Sequence, residues 1–218
     1  MKCKSELRRT ALARRDDLST QEIRRRSAAA SSHLFGLSEF GAAQTIMFFV
    51  SFGSEIDTVP MIEAALAQGK RVAAPRAHPG SRELTPCEIR SIAEDLAPGA
   101  HNIREPRAHC RPVALEEIDL VIVPAAVWAE DGYRVGYGGG YYDRFLSRLP
   151  PATRVGLGLE MQVVSHVPRE PQDIPVDVLD RIRSQAVRPG GRRQTERGPR
   201  CHATGFDLET YLSMDATA

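Results

Sequence analysis

At 218 residues, with 29 basic and 28 acidic side chains, the chain carries a formal net charge of +1. That balance excludes a bulk attraction to nucleic acid or to a membrane surface, and the length suits one domain with a proper core. The four cysteines (Cys3, Cys87, Cys110, Cys201) lack C-x-x-C spacing and fit a reducing cytosol better than a disulfide framework or a zinc site. The amino terminus is charged, and the longest apolar run, TIMFFV, is far too short to span a bilayer. A soluble cytoplasmic protein is expected.

Residues 4 to 15 read as a helix with Leu7, Ala11 and Leu12 on one face and arginines on the other. Ser19 to Glu22 is a capping box that opens a second helix running towards Leu37. QTIMFFV (44–50) reads as a buried strand, and VPMIEAALAQGK as a helix with Pro60 in its first turn and Gly69 as its stop. RVAAP (71–75) is the next strand and completes a β-α-β unit; a weaker strand covers 83 to 89. IDLVIVPAAV (118–127) is continuous and apolar, as a central parallel strand should be. A glycine-rich turn, a short helix and a strand at 154 to 160 follow. The alternation predicts a single three-layer α/β domain over 1–179, with a mainly parallel central sheet and helices on both faces. From Arg188 onward periodicity is lost, and 180–218 reads as a divergent, disordered tail.

The stretch RVGYGGGYYDRF, Arg134 to Phe145, sets four glycines and three tyrosines between an arginine and an aspartate. Glycines at 136, 138, 139 and 140 let the backbone bend and bring its own N–H groups to an anion. The pattern is neither the Walker loop, which needs Gly-Lys-Ser/Thr, nor the dinucleotide fingerprint, whose spacing fails. By itself it serves a tight turn or close packing almost as readily as a phosphate site. Asp143 fits a magnesium ligand beside a phosphate, or a helix-start carboxylate favoured by the macrodipole. Asp173 is a second metal-ligand candidate or a turn residue before Pro175. Glu55 is a site carboxylate or a solvated loop charge, and Lys4 and Arg8 reach phosphates or simply line a basic helix face.

Together these pieces resemble the 5-formyltetrahydrofolate cyclo-ligase family, from Lys4 to about Leu179. The matching stretches are KSELR, SEIDT, GKRVAAPR, IDLVIVP, GYRVGYGGGYYDRFL and HVPREPQDIPVD, in family order. The resemblance implies an ATP- and Mg²⁺-dependent ligase that converts 5-formyltetrahydrofolate to 5,10-methenyltetrahydrofolate, acting as a monomer without nucleic acid or membrane partners. It implies that Lys4, Ser5, Glu6, Leu7 and Arg8 hold ATP together with Arg134, Val135, Gly136, Tyr137, Gly138, Gly139, Gly140, Tyr141 and Tyr142. Val50, Glu55, Trp128 and Tyr137 to Tyr141 would contact the folate. Arg134, Tyr141 and Asp143 would be catalytic, and Asp143 and Asp173 would bind Mg²⁺.

The chain also departs from the family. Where Pro-Gly-x-x-Phe-Asp is common it reads Pro124-Ala125-Ala126-Val127-Trp128-Ala129, and Gln172 stands where His is frequent. After Leu179, where a Thr-Glu strand is usual, it reads Asp180-Arg181-Ile182-Arg183, the kind of break a shifted reading frame would leave. Two other functions therefore stand beside the ligase. One is a non-catalytic folate- or nucleotide-binding homologue. The other is RNA binding through the tail, which carries seven arginines from Arg181 to Arg200 but no interleaved aromatics.

Overall fold

The computed structural model describes residues 3–99 and 103–182. Helices α1 (Lys4–Asp16) and α2 (Thr20–Phe35) form where the apolar spacing predicts them. Ser19 caps α2, its Oγ accepting from the Glu22 backbone N–H at 3.2 Å. Glu22 does not close the expected capping box. Arg25 and Arg26 donate to its carboxylate at 2.7 and 2.6 Å, and hold it down to about 2. A short α3 (Ser38–Ala42) leads into β1 (Thr45–Met47). The strand expected over 44–50 is thus cut to three residues, because the chain beyond Phe48 turns away to build a wall of the site. Helix α4 (Val59–Ala67) begins with Pro60 in its first turn and is followed by Gly69 at φ 76°, a left-handed stop that glycine takes without strain.

Strands β2 (Arg71–His78) and β3 (Glu83–Ile89) form a hairpin, followed by α5 (Ile92–Asp95), β4 (Leu96–Pro98) and β5 (Arg104–Pro106). The apolar run 118–127 is not one strand. It splits into β6 (Leu120–Val123) in the main sheet and β7 (Val127–Ala129) in a small separate one with β8 (Arg134–Val135) and β10 (Val163–Val164). Pro124 marks the break, since it has no N–H to give to a ladder. Gln162 Nε2 then donates to the buried carbonyls of Ala125 and Ala126, at 3.0 and 2.7 Å. Helix α6 (Tyr141–Leu146) is six residues long, and β9 (Thr153–Leu159) and β11 (Val178–Ile182) finish the described chain.

The main sheet has the order β11-β9-β6-β1-β2-β3, parallel throughout except for the β2–β3 hairpin. Side chains on its strands alternate between two cores. Ile46, Leu120 and Ile122 pack with Leu34, Met61 and Ile62 from α2 and α4; Met47, Val121 and Val123 pack on the other face with Phe145 and Leu146 of α6. This is the three-layer α/β architecture expected.

The sheet's last strand runs three residues past position 179, so these residues are not disordered as expected. Asp180, Arg181 and Ile182, assigned above to the tail, pair with Leu157, Gly158 and Leu159 of β9. The remainder of that tail, with most of its arginines, lies outside the described residues. No helix among the described residues is long and apolar enough to cross a membrane.

Candidate active site

A cavity of about 1260 Å³ opens at the carboxyl ends of the parallel strands. Phe49, Val50, Phe52 and Glu55 follow β1, Pro75 and Ala77 belong to β2, and Pro124 follows β6. Open α/β sheets expose ligand sites at this edge because connections leave the sheet there in different directions.

The glycine stretch from Gly136 to Gly140 forms the cavity's opposite wall. Gly138 and Gly140 sit at φ 90° and 66°, which most side chains disfavour. Gly139 is required for another reason. A Cβ there would lie 2.5 Å from Cδ2 of Tyr141, so the ring packs directly on the bare backbone. Gly136 has open space where a Cβ would point. Arg144 Nη1 donates to the Gly139 carbonyl at 3.1 Å and steadies the turn from below.

Two carboxylates meet beside this wall, each holding a cation. Arg134 is buried, and its Nη2 donates to Asp143 Oδ1 at 2.6 Å while Nη1 donates to the Ile174 carbonyl. Lys4 Nζ lies 2.8 Å from Asp173 Oδ2 and 2.9 Å from Glu170 Oε1. Burial works against the Lys4 charge, but the hydrogen bonds to Asp173 and Glu170 prevail and hold its ammonium above the ordinary lysine value. The two clusters touch: the backbone N–H of Ile174, next to Asp173, donates to Asp143 Oδ1 at 3.2 Å.

A third group lies deeper. Glu55 is buried, and burial pushes its carboxyl up despite the nearby Arg15 guanidinium. Tyr137 donates its hydroxyl to Glu55 Oε1, and the Phe52 N–H donates to Oε2 at 3.2 Å. Tyr142 also lines the cavity. Its hydroxyl is buried with no hydrogen-bond partner among the described residues, and burial pushes its pKa up.

Of the sequence-predicted residues, the cavity brings together Lys4, Arg8, Val50, Glu55, Arg134 to Tyr142, Asp143 and Asp173. Ser5, Glu6 and Leu7 share the first turn of α1 but are not among the lining residues. Trp128 corrects the expectation of a stacking surface. It is fully buried and absent from the cavity lining, its indole pressed on β9 where Gly156 and Gly158 leave room, and its Nε1 donates to the Leu157 carbonyl at 3.0 Å. A Cβ on either glycine would come within 2.2 Å of the indole ring. The residue is a core anchor.

Sequence reasoning missed Phe52, Arg82, Arg104 and Arg144, which also line the cavity. Phe52 has an aromatic signal within two residues of Val50, whereas the arginines are lost in a chain rich in them. It missed a second grouping of metal-capable donors as well. Asp95, His109 and Cys110 place their ligand atoms within 4.8 Å of one another, with His109 Nε2 2.8 Å from Asp95 Oδ1. These residues lie outside the cavity lining.

Comparison with known proteins gives the family of the chain. The profile of the 5-formyltetrahydrofolate cyclo-ligase family matches residues 1–179. The 5-formyltetrahydrofolate cyclo-ligase of Escherichia coli K12 is 32% identical over 169 residues, covering 76% of this chain and 93% of that protein. A probable 5-formyltetrahydrofolate cyclo-ligase of Caenorhabditis elegans is 28% identical over 185 residues, 80% of this chain and 90% of its own. The NMR structure of Aquifex aeolicus 5,10-methenyltetrahydrofolate synthetase superposes with a TM-score of 0.72 at 34% identity, covering 88% of this chain and 96% of that one. The chain belongs to the 5-formyltetrahydrofolate cyclo-ligase family.

Proposed function

We propose that this cavity binds Mg-ATP and 5-formyltetrahydrofolate and closes the formyl group onto N10, giving 5,10-methenyltetrahydrofolate, ADP and phosphate. The observation that carries the reading is that Asp143 and Asp173 line one cavity with the bare wall of Gly136 to Gly140, Asp143 being tied to the Ile174 N–H beside Asp173, within a family of this activity. In the reaction the formyl oxygen attacks the γ-phosphorus and ADP leaves. N10 then attacks the formyl carbon, the C–O bond breaks, phosphate departs with that oxygen, and N10 releases its proton.

Asp143 and Asp173 suit a hard divalent cation, because they are oxygen donors on adjoining segments and each already attracts a positive group. When bound there, Mg²⁺ would neutralise charge on the transferring phosphates. Arg134 and Lys4 are the chain's own cations at that place, and they would stabilise the charge that phosphate oxygens gain there. Lys4, Arg8 and the glycine wall would hold the nucleotide. Glu55, Tyr137 and Val50 would take the pterin, a flat heterocycle with adjacent N–H donors that match a buried carboxylate. Much of the acceleration would come from bringing the formyl oxygen in line with the γ-phosphate.

The reading includes a monomeric protein working in the cytoplasm. Its experiment is spectrophotometric: full-length protein, 5-formyltetrahydrofolate and Mg-ATP should yield methenyltetrahydrofolate absorbance that vanishes without ATP or with EDTA. Folate binding with no product at any enzyme concentration would favour a non-catalytic homologue instead.

A further inference from the structure

Arg15 is a cation in an odd place. It lies near the end of α1, among arginines that belong on a solvated face, yet it is 1% exposed. Burying an unpaired guanidinium is costly, so its contacts should explain it. Nε donates to Ser54 Oγ at 2.9 Å and Nη1 donates to the Tyr137 hydroxyl at 2.9 Å. The same hydroxyl donates to Glu55. Cation, phenol and carboxylate thus form one chain of hydrogen bonds across three elements: α1, the loop after β1 and the glycine wall. Phe52 packs on the Tyr137 ring at 5.2 Å between centroids and donates its N–H to Glu55, which closes the cluster.

We propose that Arg15 is the positioning residue of the pterin subsite: it fixes the Tyr137 hydroxyl and sets its positive charge near Glu55, so that Glu55 can accept from the paired N–H donors of the pterin edge. The inference rests on the folate reading above and adds to it a residue outside the cavity lining.

Two properties of the cluster point this way. The first is direction. A phenol has one proton, and with Arg15 donating to its oxygen, that proton goes to Glu55. Without Arg15 the oxygen would be free to turn. The second is charge. Burial alone would drive Glu55 to its neutral form, which offers a competing O–H donor to a ligand edge made of donors. The charged and titratable groups acting on Glu55 and its partners are Arg15 and Asp16 of α1, Tyr137 of the glycine wall and Tyr142 of α6. Arg134 acts on Tyr142, and Arg15 is the cation that acts on Glu55 itself. A merely structural Arg15 would tie α1 to the body of the protein and leave ligand preference untouched.

The test compares wild type with Arg15→Met, Arg15→Lys and Tyr137→Phe in full-length protein, measuring KM for each substrate and the pH profile of kcat/KM for 5-formyltetrahydrofolate. Arg15→Met should raise the folate KM about tenfold or more while the ATP KM changes less than about twofold, a loss confined to one substrate's binding. It should also move the acid limb of the folate profile to higher pH. Arg15→Lys should return that limb towards wild type, because it restores the charge. Tyr137→Phe should raise the folate KM as well. Equal loss for both substrates, or an unmoved acid limb in folded Arg15→Met protein, would overturn the inference while an active wild type leaves the folate reading standing. If Arg15→Met does not fold, a Tyr137→Phe protein with unchanged folate KM overturns it equally, since the hydroxyl that links Arg15 to Glu55 is gone. A wild type that never forms product removes both.

Discussion

Lys4 and Asp173 stand 169 positions apart in the chain and meet at 2.8 Å, the first helix closing against the last loop of the site. Lys4 and Arg134 each occupy a carboxylate that the proposed reaction assigns to Mg²⁺. The pairing balances the charge of both acids, and in the proposed reaction it would set both cations beside the incoming phosphates. Asp143→Asn should therefore cut kcat at saturating Mg-ATP more than about tenfold, a barrier change above roughly 1.4 kcal/mol, in protein that still folds but melts lower, because the buried Arg134 loses its charged partner. Retained turnover would deny the metal role.

Gly139 shapes the glycine wall, proposed to hold ATP, by close packing and not by an unusual φ. Even Gly139→Ala would drive a methyl into the Tyr141 ring, and Gly139→Val more so. Both should raise the ATP KM or lower kcat, Val further than Ala, with folate binding less affected. Equal ATP kinetics in all three proteins would make the turn a plain structural feature.

Trp128 supplies the opposite expectation. As a fully buried ring on two glycines it should cost about 3–5 kcal/mol of stability when changed to alanine. The Trp128→Phe protein, which keeps most of the volume, should retain its folate KM within about twofold, since no pterin contact is lost. A large rise in that KM without a change in melting temperature would return Trp128 to the site.

Asp180 makes stability depend on pH. One carboxylate oxygen has no hydrogen-bond partner among the described residues, and the other lies 3.3 Å from Nδ1 of the exposed His33. Burial pushes this carboxyl from its ordinary 3.8 up to about 6, against the pull of His33. Between those values the native state binds a proton that the unfolded chain has lost, so Asp180 costs nothing below the window and destabilises as pH rises through it. Asp180→Thr keeps a small polar group and removes the charge. Urea unfolding should show the variant gaining on wild type between about pH 4 and about pH 7, then holding a constant lead. A lead independent of pH would contradict the titration.

How far the sequence discloses this protein depends on the range of the interaction involved. Caps, stops and the β-α-β unit are local: Ser19, Pro60 and Gly69 act within a turn of their own positions, and each sits where its chemistry says. The glycine wall and Asp143 are legible for the same reason. The split of 118–127 is not, because an apolar run looks alike whether it stays in one sheet or bends at Pro124 into another. Trp128 is hidden by its partners, since the two glycines that receive it belong to a strand 28 residues further on, by Gly156, and their spacing has meaning only once β7 and β9 are stacked. Arg15 is hidden by composition: one buried arginine cannot be told from its exposed neighbours Arg14, Arg24 and Arg25 until Tyr137 and Ser54 are seen around it.

The central claim is that this chain activates the formyl oxygen by phosphorylating it. The most direct measurement follows that atom. With 5-formyltetrahydrofolate carrying ¹⁸O in its formyl group, full-length protein and unlabelled Mg-ATP should form methenyltetrahydrofolate and one phosphate per product, with the ¹⁸O recovered in that phosphate. Product formed with unlabelled phosphate, or with no ATP consumed, would contradict the account.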